Sequence, residues 1–253
     1  MQPSAYQEMA ESEGRHWWFT GRRAILSTLL ARLALPREAR ILELGCGTGG
    51  NLAMLSAFGR VSALETDPAA RALAAQKCAG RCEVRAGSCP GDIPFAARSF
   101  DLVCLFDVLE HIEEDVATLR SVAALLAPGG RAVVTVPAYR WLWSAHDELL
   151  QHKRRYSAGA LRQAAGAAGL RVEQLSYFNT LLFPLAAAAR LKDRLFNHRR
   201  ATGSATPPAP INALLHRVFS SERFLVGRLP LPFGVSLLAV LVNGTAAGSA
   251  GTA

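Results

Sequence analysis

No apolar run in the sequence approaches the ~20 residues that a helix needs to cross a bilayer, and no charged-then-apolar leader opens it. A spanning or exported protein is therefore not expected, and the reading is a chain made and kept in the cytoplasm. Cysteine is scarce and odd in number. Cys46, Cys78, Cys82, Cys89 and Cys104 match no paired metal-ligand spacing, so the sequence predicts reduced thiols and no metal site. Acidic residues are also in deficit, 20 against 28 Lys and Arg, leaving a net charge of +8. That excess either keeps the surface solvated or draws in an anionic partner: nucleic acid, a phosphorylated metabolite or a membrane surface.

What is present is alternation. Half of the 253 residues are hydrophobic, enough for one substantial core, and one domain with elaborations is expected. Strand-like runs at 40–44, 61–65, 82–86, 102–106 and 132–136 enclose stretches of helical spacing at 51–58, 69–78 and 116–126. Strand-helix alternation of this kind builds a parallel sheet covered on both faces, with ligands beyond the carboxyl ends of the strands. Ahead of this core, 15–33 reads as an aromatic and basic helix over the sheet's mouth. Behind it come a helix at 156–170 ended by Gly169, a strand at 171–177 and an amphipathic helix at 180–196 carrying Arg190, Lys192 and Arg194. A proline-rich connector at 201–210, a second basic helix at 211–225 and a final strand at 235–242 complete the pattern. The expected organisation is a helical cap or lid at 1–35, a ligand-binding core at 36–177, a helical insertion with the last strand at 178–243, and a disordered tail at 244–253.

The first strand runs straight into Gly45, Cys46, Gly47, Thr48, Gly49 and Gly50, where missing β-carbons let the backbone double back close to a ligand. Gly45, Gly47 and Gly50 also satisfy the dinucleotide spacing, so a nicotinamide oxidoreductase stands as an alternative. Two acids discriminate. Glu43 sits in a strand buried on both faces, where a carboxylate wants a positive partner such as an ammonium group; beside a pyrophosphate it would repel. Glu65 ends the second strand, about 20 residues on, where a carboxylate can grip both hydroxyls of a ribose. Asp67, followed by Pro68, reads as the cap of the next helix.

Four segments in order, Ile-Leu-Glu-Leu-Gly-Cys-Gly-Thr-Gly (41–49), Ser-Phe-Asp-Leu-Val (99–103), Asp-Val-Leu-Glu-His-Ile (107–112) and Leu-Ala-Pro-Gly-Gly (126–130), resemble the motifs of class I S-adenosylmethionine-dependent methyltransferases. The resemblance covers about residues 36–177. It implies an α/β, Rossmann-like, doubly wound seven-stranded sheet whose last strand, at 236–242, is antiparallel. It also implies S-adenosylmethionine as cofactor, with S-adenosylhomocysteine as product. Gly45, Cys46, Gly47 and Gly49 would surround its methionine part and Glu65, with Thr66, its ribose. Ser88 and Cys89 would border the adenine, and Phe106 and Asp107 would face the methionine end. Many relatives carry an aspartate in the loop after the third strand; this sequence does not, so Asp92 or a backbone carbonyl is the expected substitute.

Methyl transfer is an in-line displacement at an activated carbon, so alignment and water exclusion matter most, and a base is needed only if the acceptor keeps its proton. His111, His146 and His152 are the candidate bases, although His111 is equally a helix-start residue bonded to backbone. Tyr139, Trp143, Arg154, Arg155 and Tyr156, in a segment with Trp141 and Asp147, suit a polar or anionic acceptor; otherwise they form a capping loop. In the cluster at 16–23, helical spacing puts His16, Phe19 and Arg23 on one face and Trp18 with Arg22 on another. Trp17 and Trp18 then roof the site while Arg22 or Arg23 meets the cofactor's carboxylate, or the helix simply closes the domain. The basic helices beyond 180 either rest on a membrane or cover the site.

The acceptor expected is a small molecule, a sugar, lipid-linked or natural-product compound, by analogy with similar bacterial enzymes of cell-surface glycan or secondary metabolism. A nucleic-acid methyltransferase is the nearer alternative. Against it, 107–110 reads Asp-Val-Leu-Glu where base-modifying relatives carry an Asn/Asp-Pro-Pro-Tyr segment. A non-catalytic binding module is a further alternative. Nothing in the sequence signals an oligomeric state.

Overall fold

In the computed structural model, which describes residues 3–195 and 206–244, seven strands lie in one sheet in the order β3-β2-β1-β4-β5-β7-β6. They are β1 (Ala39–Leu44), β2 (Gly59–Glu65), β3 (Glu83–Ala86), β4 (Phe100–Phe106), β5 (Leu126–Pro137), β6 (Leu170–Phe178) and β7 (Ser236–Asn243). Strands β1 to β5 pair in parallel; β7 slots between β5 and β6, antiparallel to both. The Rossmann-like, doubly wound arrangement with an antiparallel last strand is thus what the chain adopts.

Burial on two faces explains why the strands lack polar alternation. In β4, Leu102 and Cys104 join one apolar cluster while Val103 and Leu105 join the other, all fully buried. The cluster of Val103 and Leu105 packs under α5 (Asp115–Leu125) and α7 (Ala158–Ala167) through Leu119, Val122, Leu161 and Ala165. On the other face α2 (Trp17–Arg32) presents Ile25, Leu26, Leu29 and Leu30. Each such side chain contributes about 1.5–3 kcal/mol when fully removed from water. The short α3 (Leu52–Leu55) and α4 (Pro68–Cys78) complete that layer. Asp67 caps α4, its Oδ1 accepting from the amides of Ala69 and Ala70 at 2.9 and 3.0 Å.

Several boundaries differ from the sequence reading. The amino-terminal cap is two helices, α1 (Pro3–Ser12) and α2, because His16 accepts from the Trp18 amide and starts a new helix there. Cys78 and Cys82 are disulfide-bonded, a correction to the expectation of reduced thiols, and β3 begins just after the bond, at Glu83. Strand β5 starts at Leu126, which pairs with Phe100, so Leu-Ala-Pro-Gly-Gly belongs to the strand. Between β5 and β6 lie α6 (Ala145–Leu149) and α7; between β6 and β7 lie α8 (Phe183–Leu195) and α9 (Ala209–Ser221). Helix α9 packs back on α2. Residues 201–205, half of the connector expected at 201–210, and all of the tail beyond Gly244 lie outside the described residues. No helix among the described residues is long and apolar enough to cross a membrane.

Candidate active site

The carboxyl ends of β1, β2, β4 and β5 converge, and the turn after β1 forms the floor of the site. Gly45, Gly47 and Gly49 have φ of 69°, 55° and 84°, the left-handed region that costs a side-chain-bearing residue strain. A β-carbon at Gly49 would lie 2.9 Å from the Cα of Ala74, whereas at Gly47 it would point into open space. The turn is held from β2, where the Leu64 carbonyl accepts from the amides of Gly45 and Cys46 at 2.9 and 3.0 Å. Cys46 is itself buried, and burial first, then the nearby carboxylates Glu43 and Glu65, push its thiol far up.

Glu65 is buried at the end of β2, with Oε2 accepting from the Gly47 amide at 2.7 Å and Oε1 from the Asp67 amide at 2.9 Å. An ionised carboxylate offers about four acceptor positions, so each oxygen keeps one for a further donor. Thr66 turns away from the floor, its hydroxyl donating to the Gly87 carbonyl at 2.8 Å. Beyond β3, Ser88 and Asp92 exchange both backbone hydrogen bonds, at 2.7 and 2.8 Å, closing a small loop around Cys89. Cys89 is half-buried, its thiol raised to about 11 by burial. Asp92 is exposed and its carbonyl is taken by Ser88.

Glu43 is 1% exposed; Asn51 donates to its Oε1 at 2.8 Å, and Oε2 has no hydrogen-bond partner among the described residues. Burial raises its carboxyl to about 7, against the Asn51 hydrogen bond and the charge of Arg22. Arg22, buried on α2, forms an ion pair with Asp107 at the end of β4, where Asp107 takes φ of 57° and its amide reaches the Thr135 carbonyl at 3.0 Å. The Nε of Arg22 is without a partner among the described residues. Arg23 points elsewhere, donating to the Glu13 carbonyl at 2.5 Å; burial and the neighbouring Arg22 lower its pKa. Phe106 is buried beneath the site.

Trp17 and Trp18, expected as a roof, pack sideways into the seam with α9. Trp18 stacks on Phe219 at 5.0 Å and 7°, with Phe178 at 6.2 Å, and Trp17 meets Phe219 edge-on at 5.7 Å. Flat aromatic surface finds more apolar contact there than over a solvated mouth. Cover for the glycine turn comes instead from Glu13, a residue the sequence reading missed. Glu13 accepts from the Thr48 hydroxyl at 2.9 Å, pairs with Lys77, and lies 2.3 Å from where a β-carbon at Gly50 would be. A cavity of about 620 Å³ lined by Leu30, Pro36 and Phe58 opens at the amino ends of β1 and β2, the end of the sheet away from this chemistry.

On the β4–β5 side the hub is Asp147, fully buried. Its carboxylate takes Arg155 in a two-pronged contact, Nε at 2.7 Å and Nη2 at 3.0 Å, with His152 Nδ1 at 2.9 Å and the Ser144 amide at 2.9 Å. Burial opposes ionisation, but the hydrogen bonds from His152 and Arg155 outweigh it and hold the Asp147 carboxyl far below the usual range. Arg155 also donates to the Ala138 carbonyl at 3.0 Å. The Tyr156 hydroxyl donates to Asp115 at 2.9 Å, and burial followed by that carboxylate pushes the phenol up. Arg155 and Tyr156 therefore pin the loop, a correction to their reading as acceptor contacts: their donors are engaged inside the protein. Arg154, partly exposed, pairs with Asp115 at 2.8 Å.

Tyr139, at φ of 58°, stacks on Tyr177 at 5.1 Å beside Trp141 and Phe183; burial, then Tyr177, raises its phenol. Trp143 is partly buried after the turn at Arg140–Leu142. The rings of His111 and His152 meet edge to face at 4.7 Å. His111 is lowered to about 4 by burial and then by His152. His146 is likewise lowered to about 4, by burial and then Arg190, and its buried Nδ1 has no partner among the described residues. Beside the paired rings sits Glu110, fully buried. Sequence spacing signals neither the Asp147 hub nor Glu110 as a site residue, since both depend on a loop folding back across the sheet.

A family model described as a methyltransferase domain matches residues 18–175. The chain belongs to the class I S-adenosylmethionine-dependent methyltransferases. It is 34% identical over 110 residues to the ubiquinone biosynthesis O-methyltransferase of Xanthomonas campestris pv. campestris, covering 42% of this chain and 45% of that protein. Against the malonyl-[acyl-carrier protein] O-methyltransferase of Enterobacter lignolyticus the identity is 32% over 177 residues, 66% of each chain. The chain thus spans just under half the length of the Xanthomonas relative. In fold it resembles a geranyl diphosphate methyltransferase solved with its cofactor, at a TM-score of 0.60 and 14% identity over 88% of this chain and 85% of that one.

The methyltransferase's own residues fit S-adenosylmethionine. Glu43 carries a buried oxygen with no donor among the described residues, a place for an ammonium group, and Glu65 has acceptor positions left for two ribose hydroxyls. The open space at Gly47 lies beside Glu65, whose Oε2 accepts from that same residue's amide. The unpartnered Nε of Arg22 offers a carboxylate a charge-assisted hydrogen bond next to Asp107.

Proposed function

We propose that this chain transfers the methyl group of S-adenosylmethionine to a small molecule, at an oxygen, in the cytoplasm. The observation that carries the reading is the pair of buried acids at the ends of β1 and β2, each with acceptor capacity left over, flanking a glycine turn that leaves open space. When bound, the cofactor supplies a methyl whose bond to sulfur breaks as the acceptor's oxygen bonds to it, sulfur keeping the electron pair. Glu43 holds the ammonium, Glu65 the ribose, and Arg22 with Asp107 fixes the methionine end, with Ser88 and Cys89 bordering the adenine. The acceptor approaches from the β4–β5 side, where His111 and His152 face Glu110 and are placed to take a hydroxyl proton. His146 stands apart on α6 and plays the lesser part.

Oxygen is favoured over nitrogen or carbon by the relatives named for O-methylation. An apolar acceptor, as a lipid-linked compound would be, fits the aromatic group of Tyr139, Trp141, Tyr177 and Phe183, and an anionic group on it would have to draw partly exposed Arg154 from its pair with Asp115. Exposed Leu181, Leu185, Ile211 and Leu214, alongside Lys192, suit peripheral contact with an anionic membrane. In a reducing compartment the Cys78–Cys82 bond is a dithiol.

The test is calorimetry with S-adenosylhomocysteine on the purified chain, followed by incubation of lysate small molecules with methyl-labelled cofactor. Binding with one-to-one stoichiometry and a labelled low-mass product are expected. Absence of binding, or label appearing in RNA or DNA, would overturn the reading.

A further inference from the structure

Three side chains on the acceptor side remain unexplained by cofactor binding. Glu110 is fully buried, and neither carboxylate oxygen has a hydrogen-bond partner in another of the described residues. A carboxylate stripped of water and left unpaired is among the most unfavourable arrangements a core can hold, unless a cation meets it. The two groups facing it are imidazoles. One ligand atom each from Glu110, His111 and His152 all lie within 4.8 Å of one another.

Both rings are also anchored from behind. His152 bonds Asp147 through Nδ1 at 2.9 Å, which leaves Nε2, 4.0 Å from Glu110 Oε1, as the free nitrogen. His111 makes a hydrogen bond to the backbone of Gln151. Metal-binding histidines show this pattern: one nitrogen held by a carboxylate or carbonyl, which fixes the tautomer and aims the other at the ion. The nearby arginines do not compete for Glu110, since Arg22 is paired with Asp107 and Arg155 with Asp147.

We propose that Glu110, His111 and His152 bind one divalent cation of the zinc class at the carboxyl ends of β4 and β5. Two imidazoles and one carboxylate suit zinc or a similar late first-row ion; magnesium and calcium prefer all-oxygen sets. Binding would draw the ligand atoms together to roughly 3.4 Å, the separation set by metal bonds of about 2.0–2.1 Å in a tetrahedral site. Three protein ligands leave a position open. Resting on the methyltransferase reading, that position would hold the acceptor's oxygen and lower its pKa, so that the proton passes to solvent and, with the ion bound, the two histidines act as ligands in place of acting as bases.

The experiment uses the full chain, free of any affinity tag and stripped with chelator, titrated with Co²⁺ and Zn²⁺. One equivalent of Co²⁺ is expected to give the intense visible absorption of a tetrahedral centre, and zinc-edge X-ray absorption should show imidazole scattering. E110Q and H152A should each weaken binding by at least about tenfold, and D147N by about 10- to 100-fold. S-adenosylhomocysteine affinity, measured on the same samples, reports folding and the cofactor site separately. A wild-type chain that binds S-adenosylhomocysteine but gives no tetrahedral Co²⁺ spectrum overturns the metal site and leaves the methyltransferase reading intact. Equal metal affinity in wild type, E110Q and H152A overturns it as well.

Discussion

Replacing Glu43 by glutamine separates what this carboxylate does to stability from what it does for a ligand. Its carboxyl is raised from 4.5 to about 7, chiefly by burial. Between those values the folded chain keeps a proton that the unfolded chain releases, so stability falls as pH rises through the window and the full penalty stands above pH 7. A rise of that size corresponds to about 3 kcal/mol. Glutamine preserves the oxygen that accepts from Asn51 but places an unpaired amide where Oε2 now sits, a pH-independent cost of about 1–3 kcal/mol. The decisive quantity is therefore the pH dependence. Relative to wild type, E43Q should gain about 2.5 kcal/mol between pH 5 and pH 8, read from urea unfolding at both values with unchanged m. Over the same range wild-type affinity for S-adenosylhomocysteine should tighten by up to about tenfold per pH unit below 7, while E43Q stays flat and weak. A stability difference that is constant with pH, to within about 0.5 kcal/mol, would refute the reasoning, because the carboxyl would then titrate alike in both states.

E65A removes the acceptor of the Gly47 and Asp67 amides together with the ribose contact; stability should drop by about 1–3 kcal/mol and calorimetric affinity for S-adenosylhomocysteine by at least about tenfold. An affinity within twofold of wild type would remove Glu65 from the cofactor site. D147N leaves Arg155 buried without its anion, a loss of about 3–5 kcal/mol by chemical denaturation. The Asp147 carboxyl is depressed, so its stabilisation is present at neutral pH and disappears as pH falls through the acid range; D147N and wild type should converge there. W18A should destabilise by about 3 kcal/mol, since the indole packs against both Phe178 and Phe219, with cofactor affinity changed less than threefold. Loss of affinity without loss of stability would restore Trp18 to the site.

The sequence alone determined what depends on local order. Strand and helix alternation, the left-handed glycines after β1, the acids ending β1 and β2 and the Asp67 cap all follow from period, backbone freedom and charge within a few residues of each other. Such features survive in the chain as written, because neighbours in sequence are neighbours in space. Resemblance added the antiparallel last strand, which no local signal orders between β5 and β6.

Tertiary structure decided the partners of every side chain with more than one option. Arg155 and Tyr156 read as ligand contacts until the loop after β5 folds back and sets them on Asp147 and Asp115. Trp18 reads as a roof until α9, some 200 residues away in sequence, brings Phe219 against it. Glu13 and Lys77, 64 residues apart, meet over the glycine turn, and Glu110 and His152 meet only because β4 and β5 are adjacent strands. A guanidinium, an indole or a buried carboxylate goes to whichever contact repays its desolvation best, and that choice exists only once distant segments are packed together.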